Sequence, residues 1–132
     1  MSRLAAALLF LAGLVHVILG VSAIAGASRL EANIREITTS ASGGELYFSL
    51  GTWGAIVGLA GIIELAASRS VLRGSANAWL FGLIAAFLAM GASFFSLSIF
   101  RWPIVVTIVL LITATYVLAY RVADKVEASE PR

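Results

Sequence analysis

Four long apolar runs, separated by short polar punctuation, set the pattern of this chain. They extend from about Leu4 to Ala27, Tyr47 to Ala67, Ala76 to Phe100 and Trp102 to Tyr120. Each approaches or exceeds the roughly 20 residues that a helix needs to cross a bilayer. In hydrocarbon a helix satisfies its own backbone polar groups, which is why the runs read as spanning helices. The pattern predicts an all-α fold, an integral membrane four-helix bundle forming a single domain over residues 1–132.

The connections refine this picture. An external loop is expected over 28–46, opening with Leu30, Ile34 and Ile37 at helical spacing, as in a short amphipathic segment continuing the first span along the interface. Thr38 to Gly44 reads as a flexible turn. The second connection, Ser68 to Ser75, carries Arg69, Arg73 and Gly74, and Pro103 stands where proline opens a helix. Short connections predict an up-down-up-down arrangement, with a tail over 121–132.

Composition narrows the class. Of 132 residues 61% are hydrophobic and only 12% charged, against about 25% charged in ordinary soluble domains. A small soluble domain cannot cover its surface with so few polar groups. No cysteine is present, which removes disulfide, thiol and cysteine–metal chemistry. A single histidine cannot build a His-based metal site within one protomer. The net charge of +2 comes without the clustered basic patch of a nucleic-acid binder.

Lys and Arg distribute unevenly. Arg3, Arg69, Arg73, Arg121, Lys125 and Arg132 fall on one side of the predicted bundle, and Arg29, Arg35 and Arg101 on the other. The excess places both termini in the cytoplasm. Tyr47, Phe48, Trp53 and Trp102 are expected near the outer interface, with Trp79 and Tyr120 near the inner one. Arg3, the first apolar run and Ala25-Gly26-Ala27 also resemble a secretory signal, but the run exceeds a signal's 7–15 residues and is read as a span.

Two ionisable residues lie inside the spans. His16 sits near the middle of the first, flanked on one helical face by Ala12, Gly13, Gly20 and Ala23, so it is expected to face the bundle interior. It is the ligand-binding candidate, and proton relay is a further role open to it. The blander alternative is a neutral imidazole hydrogen-bonded to a Ser, a Thr or a backbone carbonyl of a neighbouring helix. Glu64 is placed near the cytoplasmic end of the second span, either in a structural pair with Arg3, Arg69 or Arg73 or as a functional carboxylate. From those boundaries, at 1.5 Å per residue, the two lie on the order of 12 Å apart in depth, so no direct pair is expected.

Gly51, Gly54, Gly58 and Gly61 form a small-residue stripe on the second span, and Gly13 and Gly20 mark the first. On the third, Gly82, Ala85, Ala86, Ala89 and Ser93 make a stripe that reads as the packing partner of the second. The hydroxyls of Thr107, Thr113, Thr115 and Tyr116 need no more than helix bonding. No Ser–His–Asp set, HExxH motif or phosphate-cradling loop is legible, and no catalytic residue, metal site or cofactor is assigned.

Leu11-Ala12-Gly13 with Gly20, Thr52-Trp53-Gly54 with Gly58, an Arg73-Gly74 turn before Ala78-Trp79, and Pro103 opening a span that ends in Tyr116 to Tyr120 occur in order. This order resembles an uncharacterised family of four-span membrane proteins common in actinobacteria. The third connection is less proline-rich than in that family, and the last span lacks its acidic residue. The resemblance implies the four-span architecture and a bacterial plasma-membrane location. The functional expectation is a small non-catalytic accessory, scaffold or assembly subunit. It would meet other membrane protein subunits, or itself as a homo-oligomer, through small-residue faces, with the lipid bilayer and no nucleic acid as surroundings. The alternative is a binder or carrier of a quinone or lipid near His16.

Overall fold

The computed structural model describes the backbone of residues 2–37, 41–74, 77–96 and 101–129, and the side chains of 3–29, 50–74, 77–94 and 102–124. Four helices make up this part of the chain: α1 (Ser2–Ile37), α2 (Ala41–Arg73), α3 (Ala78–Ser96) and α4 (Arg101–Ser129). Pro103 lies in the first turn of α4, where its missing N–H is not needed. α2 stops at Gly74, whose φ of 68° turns the chain left-handed, and whose N–H donates to Ser70 O at 3.2 Å. α3 opens with Phe81 N–H donating to Asn77 O at 3.0 Å.

The helices run beyond the predicted apolar cores. α2 continues to Arg73 instead of ending at Ala67, and most of the expected loop over 28–46 is helical, with Gly43 and Gly44 inside α2. The residues taken as a tail are helical as far as Ser129. Apolar run length marks where a helix is greasy, not where it stops, because polar residues such as Ser68, Arg69 and Ser70 sustain a helix equally well near an end. The side chains of Leu30, Ile34, Ile37, Tyr47 and Phe48 lie outside the described residues.

Three helices are long and apolar enough to cross a membrane: Arg3–Arg29, Leu50–Arg73 and Trp102–Asp124. The apolar part of α3, Ala78–Phe94, is shorter. α1 packs most extensively on α2, α2 on α3, α3 on α4, and α4 returns to α1, so the four close a ring.

The distribution of side-chain size is the reverse of a water-soluble core. Most buried apolar positions are alanines, including Ala5, Ala6, Ala12, Ala60, Ala67, Ala85, Ala86, Ala89 and Ala114. Phe10, Leu11, Ile18, Val21, Ile62, Phe87, Leu88, Val109 and Ile112 face outward. Large apolar groups lose nothing by facing lipid, while small ones let helix backbones approach.

The α1–α2 seam is the closest of these approaches. Along α1 from Ala6 through Gly13 to Gly20, the contacts fall on Ser68, then Gly61, then Gly58 and Gly54 of α2. A Cβ at Gly20 would stand 2.6 Å from Gly54 O and from the backbone of Gly58; one at Gly61 would stand 2.6 Å from Gly13 O. A Cβ at Gly54 would meet Gly20 O at 2.7 Å. Gly51 and Gly58 are looser, their nearest neighbours at 3.8 Å being Ala27 Cβ and Gly20 Cα. The glycines of α2 therefore pack on α1, not on the small-residue stripe of α3. Gly82 of that stripe instead meets Val71 at 3.1 Å and Leu118 at 3.3 Å.

Trp79, in the first turn of α3, is 8% exposed and packs against the bundle, with the Arg121 guanidinium 5.9 Å from its ring centroid. Tyr120 and Trp102 are exposed.

Candidate functional site

Between the larger apolar cluster (Leu9, Ala67, Val71, Trp79, Leu111, Leu118) and a smaller one (Leu19, Val57, Ile104) lie His16, Glu64, Ser93 and Thr107, each fully buried. His16 Nδ1 stands 2.6 Å from Glu64 Oε2, and His16 Nε2 stands 2.8 Å from Ser93 Oγ. Three helices are tied by this one ring, and the bond to Ser93 crosses the diagonal of the bundle from α1 to α3.

The direct His16–Glu64 pair overturns the depth argument made from sequence, which set the end of the second helix at Ala67. With α2 running to Arg73, Glu64 sits over two helical turns inside its end. The close seam then fixes the register: a Cβ at Gly61 would lie 2.9 Å from His16 Cβ, and one at Gly13 3.0 Å from Glu64 Cβ. Missing side chains at these two glycines let the ring and the carboxyl meet. No arginine pairs with Glu64 among the described residues; its partner is His16. Ser93, read from sequence only as part of a packing stripe, is the third member. Its being the hydroxyl of an otherwise alanine-and-glycine face was the one available signal.

The hydrogens can be assigned by counting. Ser93 Oγ has one hydrogen and lies 2.9 Å from Ala89 O, an atom that only accepts. With that bond made, Nε2 carries a hydrogen and donates to Ser93 Oγ. The 2.6 Å contact on the other side then holds one proton, carried by Nδ1 or by Oε2. The pair is neutral overall with either placement, which suits its burial. Glu64 Oε1, in contrast, has no hydrogen-bond partner.

Acid, histidine and serine in this order have the connectivity of a nucleophilic triad, which is recognised by geometry and not by sequence position. Such a set was not legible in the sequence. With the serine hydrogen assigned to Ala89 O, the ring nitrogen facing the serine is a donor, and none of the three side chains reaches the surface. In this state the ring cannot take the serine proton. The arrangement ties three helices through one ring.

Elsewhere, Ser68 Oγ–H donates across the seam to Ala6 O at 2.8 Å, and Thr107 and Thr113 donate back to Pro103 O and Val109 O. Among the described residues no three His, Cys, Asp or Glu side chains gather as a metal site would need. Two apolar grooves open on the outer surface. One of about 560 Å³ lies between α2 and α3 (Trp53, Ile56, Phe87, Leu88, Gly91, Ala92), and one of about 420 Å³ lies along the α1–α2 seam.

Neither the curated proteins nor the solved structures include a match to this chain. A family model described as a domain of unknown function, DUF7144, matches residues 1–123, nearly the whole chain, including α1 to α3, most of α4 and the buried polar layer. The chain belongs to the DUF7144 family.

Proposed function

We propose that this is a small, non-catalytic integral membrane protein of four crossings that acts by association within the bilayer, as an accessory or assembly subunit. The observation that carries this reading is the division of the molecule. The chemistry-bearing side chains His16, Glu64 and Ser93 are sealed inside, while the outer surface offers apolar side chains and an unfilled groove. The small-residue stripe of α2 is consumed on α1, so the docking face is not that stripe. It is the α2–α3 groove, where Gly91 has nothing within 4 Å of an added Cβ. Its occupant in this reading is an apolar helix of another membrane protein, whose backbone approaches at Gly91.

Native mass spectrometry from source membranes in mild detergent is expected to show a stable partner or a homo-oligomer. Gly91→Leu, which fills the groove, is expected to dissociate it. A lone monomer in both cases would overturn the reading.

The falling α2 numbers met along α1 set these two helices antiparallel, as an up-down-up-down order of four crossings requires. α3, at 19 residues, has a helical length of about 28 Å, close to the roughly 30 Å hydrocarbon thickness. The Lys and Arg asymmetry supports cytoplasmic termini, and the family resemblance supports a bacterial plasma-membrane location. Because the chain lacks cysteine, single cysteines at Ser2, Ser42, Ser75 and Ser129 test it directly. Only Ser42→Cys should react with an impermeant maleimide in intact cells.

A second reading, a binder of a quinone or lipid beside His16, draws on one observation, the buried Glu64 Oε1 without a donor. Both ring nitrogens are engaged, so the ligand would be held at Glu64 and not at His16. A photoreactive quinone that labels the wild type but not Glu64→Met would support it; equal labelling of both would exclude it.

A further inference from the structure

The hydrogens of the buried polar layer do not suffice for its acceptors. Ser68, Ser93 and Thr107 each own one hydroxyl hydrogen, and each directs it to a backbone carbonyl: Ala6 O, Ala89 O and Pro103 O, at 2.8, 2.9 and 2.8 Å. The two ring nitrogens of His16 face Ser93 Oγ and Glu64 Oε2. Nothing is left for Glu64 Oε1, which is fully buried.

Relocating the shared proton does not repair this. On Nδ1 it leaves Oε1 a carboxylate oxygen without a donor. On Oε2 it leaves Oε1 a carbonyl oxygen without a donor. On Oε1 itself it makes an O–H without an acceptor. One partner is missing in every placement, and a buried polar atom in that condition loses its hydration without return.

Among the described residues no side chain bonds Oε1; Thr115 Oγ1 and Arg121 Nε of α4 are also buried without a partner, and neither is bonded to it. α1 faces Glu64 with His16 and with the backbone of Gly13; α3 has no titratable side chain between Ala78 and Phe94. The buried positions of α4 are Ile104, Thr107, Leu111, Ala114 and Leu118. Arg3, Arg69 and Arg73 are exposed and Arg121 packs on Trp79, all toward the bundle end that Ser68, Ala6 and Trp79 mark.

We propose that Glu64 Oε1 is an internal binding site for one water molecule. Water is the ligand that brings a donor and an acceptor at once, so it can partner Oε1 whichever atom holds the proton. Its presence makes the layer a place where the ring hydrogens of His16 exchange with solvent in the middle of an otherwise dry bundle.

The single histidine of the chain makes the test specific. In water-edited solid-state NMR of the full, isotopically labelled chain in lipid bilayers, magnetisation from water should reach the His16 ring and the Glu64 carboxyl. It should not reach Leu9 or Leu111. Glu64→Met should reduce the His16 signal to the level of those leucines. Ser93→Ala, which leaves Oε1 as it is, should keep the water signal at Glu64. A wild-type His16 as dry as Leu9 overturns the site, and so does loss of the Glu64 signal in Ser93→Ala. The outcome is separate from the association reading, since a partnerless monomer can hold this water and a dry centre can still associate.

Discussion

Gly20→Ala adds one methyl group at the tightest point of the α1–α2 seam. Its Cβ would lie 2.6 Å from Gly54 O, Gly58 Cα and Gly58 N. All three are backbone atoms, so no rotamer change relieves the clash. Ordinary contact begins at 3.4 Å, so the helices must part by about 0.8 Å at this level. The displacement reaches the neighbouring level, where the 2.6 Å His16–Glu64 contact depends on the same seam. Overpacking of this kind costs about 1–3 kcal/mol. Alanine's better helix propensity offsets about 0.5–1 kcal/mol, leaving a net loss centred on about 1 kcal/mol. Gly26→Ala is the matched control: nothing lies within 4 Å of its added Cβ, so only the propensity gain of about 0.5–1 kcal/mol should appear. The assay is reversible unfolding of the purified chain in mixed micelles, followed by circular dichroism. A Gly20→Ala protein as stable as wild type, or a Gly26→Ala protein equally destabilised, would refute the reasoning.

Further predictions concern the polar layer and the bundle end. His16→Ala strands the Glu64 carboxyl and should cost about 3–5 kcal/mol in the same unfolding assay. Pairing His16→Leu with Glu64→Met should recover much of the loss seen in His16→Leu alone, because apolar replacement of both partners removes the uncompensated group; a double variant no better than the single would contradict this. Ser93→Ala removes the acceptor of Nε2–H and should cost about 1–3 kcal/mol, less than His16→Ala. Arg121→Gln withdraws the cation from the Trp79 ring and should cost about 0.5–1 kcal/mol, with an accompanying shift in tryptophan fluorescence; an unchanged spectrum would mean the ring does not feel that charge.

The helical content and the inward direction of His16 were legible because both follow from local pattern: apolar run length for one, small neighbours at helical spacing for the other. The His16–Glu64 pair was not, since it depends on how far α2 continues past its apolar core and on which two glycines meet. Residues 16 and 64 are brought together by the fit of Gly13 against Gly61, a property of two surfaces that neither helix displays alone. Ser93 stands 77 residues from His16 and has no periodicity of its own. The mistaken pairing of the α2 glycines with α3 has the same origin: two small-residue stripes resembled partners, but α1 offered the closer fit. Trp79, at the start of α3, is covered by the bundle and by Arg121, a burial that its place at a span end does not foretell.

The hydrogen bonds of the polar layer also bear on how the protein is made. The two residues that share a proton lie 48 positions apart and belong to the first two helices, so a nascent chain that has delivered α1 and α2 already holds both. His16 and Glu64 can neutralise each other before α3 exists, and Ser93 arrives later as an acceptor for a ring already held in place. In the four-crossing reading proposed above, the costly groups enter the bilayer along the order of synthesis as a matched set, and the glycine seam closes the first pair of helices to leave the insertion machinery.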